Sequence, residues 1–180
     1  IEFDGRNVLE MGSKELREFR RDAQAIFQDP YSSMSPYMSV SEIVEEPLKI
    51  HHLPGSVETA LMQVKLEPVA EIVSKYPHQL SGGQRQRVSI ARSLTLSPRF
   101  IVADEPVSMV DASNRVEILS LLRELQANRG IAFLYITHDI ASARHFSDRI
   151  AVMYLGKLVE VSSRDKLFHT PLHPYTQALL

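Results

Sequence analysis

The run Leu80-Ser81-Gly82-Gly83-Gln84 combines residue types that can bind an anion through the backbone. Its two glycines leave the amide groups at a helix start open to close approach, and Ser81 adds a hydroxyl donor. The dipole of the following helix favours negative charge at the same place. The run therefore predicts a phosphate site, although a plain serine-capped helix is the more common explanation for the glycines alone.

Adjacent carboxylates follow an apolar run of strand length further along the chain. Phe100 to Ala103 ends in Asp104-Glu105-Pro106, and Ile131 to Ile136 ends in Thr137-His138-Asp139. Because α/β folds bind ligands at the carboxyl edge of a parallel sheet, one acid could hold hydrated Mg²⁺ there while the next faces a water molecule. The imidazole of His138 would stand beside both acids. Taken alone, an acidic loop and a turn histidine are the ordinary alternatives.

The elements around these motifs predict a parallel sheet with a crossover helix. Ser81 is a good N-cap for a helix through Leu96, and Asp111 can cap a second helix with Gly130 beyond its end. The second helix carries apolar residues at i, i+3, i+4 and i+7, namely Ile118, Leu121, Leu122 and Leu125. It lies between the two apolar runs, which predicts a βαβ unit whose strands are covered on both faces.

Upstream of the glycine run, the pattern predicts short strands followed by a helical subdomain. Ile1 to Phe3 reads as a strand entering a turn at Asp4-Gly5, Ser13 to Arg21 as a charged helix, and Ala25 to Phe27 as a strand that Asp29-Pro30 stops. Helical patterns then run from Ser39 to Ile50 and from Val57 to Lys75. We expect interruptions where prolines or glycine fall, at Pro47, Pro54, Gly55 and Pro68.

The end of the chain predicts a hairpin. Arg149 to Tyr154 and Leu158 to Val161 are joined at Leu155-Gly156-Lys157, and we expect this hairpin to be appended to the parallel sheet.

Composition limits the possible function classes. The chain has 180 residues, 44% of them hydrophobic, and a formal charge of −2, so nothing in the global charge favours nucleic acid or an anionic membrane. It contains no cysteine, which excludes a disulfide framework or a thiolate metal site within these residues. No apolar run approaches the roughly 20 residues that span a bilayer. Both ends look cut, and we expect the sequence to be a fragment.

Taken together, the motifs resemble one known family. Their order and spacing resemble those of the ATPase subunits of ABC transporters. The matching motifs are Gln28 after an apolar strand, the run Leu80 to Gln84, Asp104-Glu105, Ser108 to Asp111 and His138. The resemblance covers essentially the whole chain.

The resemblance implies a role for each matching position. Gln28 would sense Mg²⁺ and the attacking water, Asp104 would coordinate Mg²⁺, and Glu105 would be the catalytic base. His138 would act as the γ-phosphate switch. The residues that would contact the γ-phosphate of the ATP held by the opposite subunit are Ser81, Gly82, Gly83 and Gln84. Asp111 would be the loop acid of the nucleotide site that communicates across the dimer.

The same resemblance implies a fold, cofactors and partners. The expected fold class is α/β, a P-loop NTPase-like parallel sheet core with an ABC helical subdomain, truncated at the N-terminus. The helical subdomain would span about 36–97, part of the sheet core 98–162, and the start of a C-terminal extension 163–180. ATP and Mg²⁺ are the implied cofactors. The implied partners are a second ATPase subunit, transmembrane permease subunits and, indirectly, an external solute-binding protein, with no nucleic acid and a peripheral place on the cytoplasmic face of the inner membrane.

Narrower similarities indicate the oligopeptide, dipeptide and nickel importer branch. They lie in four segments, Gln28 to Ser33, Tyr76 to Gln79, Asp104 to Met109 and His173 to Leu180. A DNA-repair or chromosome ATPase with the same motifs is one alternative, and a non-catalytic partner chain is another. Gln28 and Ser81 are 53 positions apart with no cysteine between them and no sustained heptads, which favours the transporter.

One family motif does not occur in these residues. The phosphate-cradling pattern G-x-x-x-x-G-K-S/T has no match, since the single Gly-Lys pair, Gly156-Lys157, is followed by Leu158. We therefore expect the 180 residues alone neither to bind ATP tightly nor to hydrolyse it.

Other candidate sites are weaker. His169 and His173 are four apart, but Pro171 and Pro174 disfavour the helix that would bring them to one metal. His51-His52 fit a surface loop. We expect the cluster Arg85, Arg87 and Arg92 to order its own helix and the phosphate site rather than bind nucleic acid. Met34, Tyr37 and Met38 could form a groove for a permease helix or could pack in the core.

Overall fold

The structure is a computed structural model that describes all residues, 1–180. It divides into two compact units, Ile1–Leu134 and Tyr135–Leu180. None of the helices combines the length and apolar character that crossing a bilayer requires.

The first unit begins with the predicted strand and tight turn. Strands β1 (Glu2–Phe3) and β2 (Arg6–Asn7) pair antiparallel around a turn at Asp4-Gly5. Helix α1 (Ser13–Asp22) follows, and Phe19 on it packs edge-on against Phe3 at 5.2 Å between ring centroids. The predicted strand, the turn and the charged helix are therefore confirmed.

Three strands form the sheet that carries the acidic motif. Strand β3 (Ala23–Ile26) pairs in parallel with β4 (Phe100–Asp104), so that Ile26 lies opposite Ala103. Strand β5 (Ala132–Ile136) is the other neighbour of β4, in the order β3-β4-β5. The register of β3 and β4 brings the residues that follow Ile26 and Ala103 to the same edge.

The predicted burial of β5 is wrong. Ile101 and Ala103 of β4 are fully buried, but the residues of β5 alternate between exposed and half-buried, and Leu134 is 51% exposed. An apolar run specifies residue type and strand propensity, but it does not specify whether other layers cover the strand.

Helix α2 (Val40–His51) runs through the proline that we expected to interrupt it. Its start is set by a capping box in which Ser39 and Glu42 exchange hydrogen bonds. Pro47 is buried inside the helix, on the same stripe as Ile43 and Val44. Burial of that stripe outweighs the roughly 3 kcal/mol that an interior proline costs. Two shorter helices, α3 (Val57–Gln63) and α4 (Val69–Ile72), complete the helical region.

Helix α5 (Gly82–Leu94) is the central helix of this region. It packs against α2, α3 and β3, and Val88, Ile90 and Ala91 are fully buried. Ser81 is its N-cap as predicted, and the helix ends two residues before the predicted Leu96.

Helix α6 (Ala112–Arg129) follows the acidic motif. Asp111 caps its start, and Gly130 ends it with a left-handed φ of 64° that suits glycine. Its buried residues are the four of the predicted stripe, Ile118, Leu121, Leu122 and Leu125.

The second unit contains α7 (Ile140–Phe146), the antiparallel hairpin β6 (Arg149–Tyr154) and β7 (Lys157–Ser163), α8 (Arg164–His169) and α9 (Pro174–Leu179). The hairpin is confirmed, but it forms a two-stranded sheet of its own, so its predicted attachment to the parallel sheet is wrong. Strand propensity and turn residues define a hairpin locally, whereas the choice of a neighbouring edge is non-local.

The predicted separation of His169 from His173 is confirmed. Helix α8 ends at His169 and α9 begins at Pro174, so the two histidines do not share a helix. No group of three or more His, Cys, Asp or Glu side chains in the structure could hold a metal ion.

Candidate functional site

Gln28 and Glu105 meet at the carboxyl edge of the sheet. Gln28 lies two residues beyond the end of β3, and Glu105 lies just after β4. The Nε2 atom of Gln28 donates a hydrogen bond to Oε2 of Glu105 at 3.0 Å, although the residues are 77 positions apart. The parallel register of the two strands produces this contact, and it points a neutral amide and a carboxylate at the same space.

A tight turn holds the backbone of Glu105. Glu105 has a left-handed φ of 42°, which is strained for a residue with a side chain. Its carbonyl accepts hydrogen bonds from the backbone N–H of Ser108 at 3.1 Å and from the Ser108 hydroxyl at 3.0 Å. Pro106 and Val107 between them are buried. The turn therefore fixes where the Glu105 side chain leaves the backbone.

Asp104 is exposed at the last position of β4, next to Glu105. The carboxylates of Asp104 and Glu105 and the side-chain amide of Gln28 all carry oxygen atoms. Oxygen atoms are the ligands that Mg²⁺ prefers. Mg²⁺ is typically held by one or two carboxylates, with water and phosphate filling the remaining positions. The donor set therefore fits a hydrated Mg²⁺ ion that a nucleotide phosphate also binds.

The glycine run forms the predicted start of α5. The N–H of Gln84 donates to the Ser81 hydroxyl oxygen at 3.2 Å, and the N–H of Ser81 donates to Oε1 of Gln84 at 3.0 Å. A Cβ atom on Gly82 would lie 3.3 Å from the carbonyl oxygen of Met109. One side of the run is thus packed against the loop after Glu105, while Ser81 is exposed.

Asp111 is connected to the glycine run through Asn114. Its Oδ1 accepts the N–H of Asn114 at 3.1 Å, and its Oδ2 accepts the side-chain amide of Asn114 at 2.7 Å. The backbone N–H of Asn114, followed by its side-chain amide, lowers the pKa of Asp111 from its ordinary value. A Cβ atom on Gly83 would lie 2.7 Å from the same Asn114 amide group.

The three arginines of α5 contact other segments of the chain, and their predicted role at the phosphate site stays a prediction. Arg85 lies over the ring of Tyr31 at 5.4 Å. Arg92 donates to the Ser33 carbonyl at 3.0 Å and to Glu46 at 2.7 Å, while the buried Arg87 donates to the Val64 carbonyl and to Glu117. Two of the arginines therefore tether the segment that follows Gln28.

His138 lies in the second unit, in the loop before α7. The loop is ordered by Asp139, whose N–H donates to the Thr137 hydroxyl at 3.0 Å and whose Oδ1 accepts the N–H of Ala141 at 3.0 Å. The His138 side chain is exposed. Its role beside Asp104 and Glu105 stays a prediction.

A cleft of about 330 Å³ opens beside the segment that follows Gln28. Phe27, Pro47, Ile50 and Leu96 give it apolar walls, and it also contains Arg20, His51 and Arg92. Of the residues predicted to form a groove, Met34 is buried in the core, Met38 is half-buried and Tyr37 is 89% exposed. None of the three lines the cleft.

Sequence reasoning gave no separate role to Ser108 or Asn114. Ser108 was part of a matched motif, but its bond to the Glu105 carbonyl depends on the turn geometry. Asn114 stands three residues after the capping Asp111, which is the position from which a polar side chain can reach back to the cap. That spacing is the signal that could have identified it.

Comparison with known proteins gives a consistent result. The sequence pattern described as "ABC transporter" matches residues 1–108. The oligopeptide transport ATP-binding protein OppF of Bacillus subtilis is 47% identical over 99% of this chain and 60% of its own length. The protein of the same name from Salmonella typhimurium is 44% identical over 98% of this chain and 54% of its own length. The chain thus spans a little over half the length of these curated relatives.

Solved structures agree with the sequence comparison. A dimeric post-hydrolysis state of the ATP-binding cassette MJ0796, bound to ADP and Pi, aligns with a TM-score of 0.77 and 30% identity. The alignment covers 90% of this chain and 72% of that one. The structure of cbiO1 from Clostridium perfringens, part of the ABC transporter complex cbiONQ, aligns with a TM-score of 0.81 and 28% identity over 94% of this chain and 67% of that one. The predicted α/β class with a P-loop NTPase-like parallel sheet is confirmed.

Proposed function

The chain belongs to the ABC transporter family, and on this premise we propose that it is part of an ATP-hydrolysing subunit that drives the import of peptides. The observation that carries the proposal is the hydrogen bond between Gln28 and Glu105 at 3.0 Å. It gathers an amide and a carboxylate at the edge of the parallel sheet where ligands of such folds bind.

Glu105 acts as the general base in the proposed reaction. Its carboxylate takes a proton from the attacking water, and the Gln28 amide orients both the carboxylate and that water. Asp104 and Gln28 would hold Mg²⁺, which when bound would neutralise charge on the ATP phosphates. His138, on the loop that Asp139 orders, would act as the γ-phosphate switch.

Two subunits share each nucleotide in the proposed assembly. Ser81, Gly82, Gly83 and Gln84 face the ATP of the opposite subunit, and Asp111 contacts that subunit. The exposure of Ser81, next to Gly82 that packs on the Met109 carbonyl, supports this arrangement. The MJ0796 structure, described as dimeric, offers a precedent in a relative.

Permease subunits are the proposed membrane partners, which would place the protein peripherally on the cytoplasmic face of the inner membrane. The cleft lined by Phe27, Pro47 and Ile50 supports this proposal, because its apolar walls suit a short amphipathic segment. Arg92 of α5, which also lines it, donates to the carbonyl of Ser33 in the same lining. A solute-binding protein outside the cell would act only indirectly.

The subdomain boundaries and the solute also belong to the proposal. We assign residues 36–97 to the helical subdomain, 98–162 to part of the sheet core and 163–180 to the start of a C-terminal extension. The names of the relatives favour peptides as the solute over nickel.

The test replaces Glu105 by Gln in a complete subunit, meaning this chain together with a G-x-x-x-x-G-K-S/T segment. The substitution keeps the size of the side chain but removes its ability to accept a proton. We expect hydrolysis to fall by at least ~10²-fold, as for loss of a general base, while ATP binding survives. Size-exclusion chromatography should then show an ATP-dependent dimer. Near-normal turnover would contradict the proposed role of Glu105.

A further inference from the structure

Asn114 holds both carboxylate oxygens of Asp111. Its backbone N–H donates to Oδ1 at 3.1 Å, and its side-chain amide donates to Oδ2 at 2.7 Å. A helix cap requires only the first of these bonds. The second bond therefore fixes the rotation of the Asp111 carboxylate, beyond what the start of α6 needs.

The same amide group is the surface on which Gly83 packs. A Cβ atom on Gly83 would fall 2.7 Å from Cγ and 2.7 Å from Oδ1 of Asn114. Asn114 cannot easily move aside, because its amide is bonded to Asp111. A single side chain thus sets the distance between the glycine run and Asp111.

A second contact, one helical turn further along, keeps α5 and α6 in this register. Arg87 lies four residues after Gly83, and Glu117 lies three residues after Asn114. Their side chains pair at 2.6 Å, and Arg87 is buried. The contact between Gly83 and Asn114 is therefore part of an extended interface between the two helices.

We infer that Asn114 is a positioning residue for the site shared between subunits, where it holds Asp111 and the glycine run in one geometry. The inference rests on the proposed function, in which both groups face the opposite subunit. Asn114 acts through Asp111 and Gly83, the two groups that it contacts. Its effect is on the closure of two subunits, since a turned Asp111 or a displaced Gly83 misaligns both contacts together.

The test is Asn114→Asp in a complete subunit. This change keeps the shape of the side chain but places a carboxylate where the amide donated to Asp111. The two acids repel at neutral pH and share a proton as the pH falls. The nearby charges, Arg87 and Glu117 on the facing helices and Arg115 on α6, are the same in the parent and the variant.

We expect turnover at saturating ATP to fall about tenfold at neutral pH, the equivalent of one charge-assisted hydrogen bond. Relative to the parent, turnover should recover as the pH is lowered, while the ATP affinity of a single subunit stays the same. If Asn114 only stabilises α6, Asn114→Asp should have a lower melting temperature, and its turnover relative to the parent should not change with pH.

Asn7→Asp is the matched control. Like Asn114, Asn7 donates its side-chain amide to a carboxylate three positions away, here Oε1 of Glu10 at 2.7 Å. In this pair the asparagine is itself the cap, at the start of the 3-10 helix Val8–Glu10. It lies on the N-terminal hairpin, far along the chain from the glycine run, so we expect no change in turnover. Asn114→Ala covers the case in which the aspartate variant does not fold, and its turnover should fall without recovering at lower pH.

Two results would overturn the inference. One is Asn114→Asp turning over like the parent at every pH. The other is an equal loss in Asn7→Asp. A parent subunit that neither hydrolyses ATP nor dimerises with it would overturn the proposed function and this inference together, so the two failures are distinguishable.

Discussion

Glu105 combines a strained backbone with a firmly held carbonyl. Its φ of 42° belongs to the left-handed region, where a residue with a side chain is disfavoured by roughly 1–3 kcal/mol. The two donors on its carbonyl both come from Ser108. Strain of this kind persists when surrounding bonds over-determine it, and it is found most often at functional sites. Ser108 therefore sets the direction of the Glu105 side chain.

We predict that Ser108→Ala lowers the turnover of a complete subunit by about 2–10-fold, the equivalent of one lost hydrogen bond. The backbone bond from Ser108 remains, so the turn should survive and the Michaelis constant for ATP should be unchanged. Steady-state kinetics would measure both parameters, and Ser108→Thr should retain activity because it keeps the hydroxyl.

Thr95→Ala is the control for Ser108→Ala. The Thr95 hydroxyl donates to the carbonyl three residues earlier, that of Arg92, at 2.7 Å, and it lies at the far end of α5. Its loss should lower stability to a similar degree without reducing turnover. Equal kinetic losses in both variants would contradict a specific role for Ser108.

Among the elements, the helix starts were the most predictable features. Ser81 and Asp111 were identified because capping depends on residues only a few positions apart. The stripe of α6 was also correct, since a period of 3.6 is local information. Pro47 was misjudged because the buried stripe of α2 extends past it, and that burial depends on other helices.

Glu160 connects two elements of the second unit. From β7, its carboxylate accepts the N–H groups of Leu172 and His173, each at 3.0 Å, just before α9 begins. The N–H of Leu172, followed by that of His173, lowers the pKa of Glu160 below its ordinary value of 4.5. Because the folded pKa is depressed, this stabilisation is present above pH 4.5 and is lost as the pH falls through the folded value.

We predict that the amide resonances of Leu172 and His173 share one titration step, that of Glu160, with a midpoint below pH 4.5. NMR between neutral and acidic pH would measure this midpoint. In Glu160→Gln the titration should vanish, and α9 should fray at every pH. Glu124→Gln, which removes a carboxylate paired with Lys65 on the surface, should leave both resonances unchanged. A midpoint at or above 4.5 would contradict the prediction.

For the molecule as a whole, the motifs could be predicted from the sequence. The contacts between motifs that lie far apart in the chain could be predicted only in part. The resemblance marked Gln28 and Glu105 as members of one site, and general rules for parallel sheets placed Glu105 at the correct edge. The bond between them requires the register of β3 on β4, which no local pattern encodes. The contact of Asn114 with Gly83 was missed for the same reason, because it depends on how α5 packs against α6.

The proposed pairing of two subunits can be tested at Ser81. Ser81→Arg places a long cation on the exposed face of the glycine run, where the proposal puts the phosphates of the opposite subunit. We expect the turnover of a complete subunit to fall by ~10²-fold or more, the range found when one transition-state contact is removed, while ATP affinity measured by calorimetry on the monomer stays the same. The substitution also removes a helix cap, which alone costs about 1 kcal/mol of stability.

Ser39→Arg isolates that cap loss, because Ser39 forms the same capping box with Glu42 at the start of α2. It should lower stability to the same degree as Ser81→Arg but leave turnover within a few-fold of the parent, because Ser39 is not part of the glycine run and does not line the cleft. If Ser81→Arg weakens monomer binding of ATP as much as it weakens turnover, the run binds nucleotide within its own subunit. That result would contradict the two-subunit arrangement, since a contact made only across the interface cannot change the affinity of a monomer.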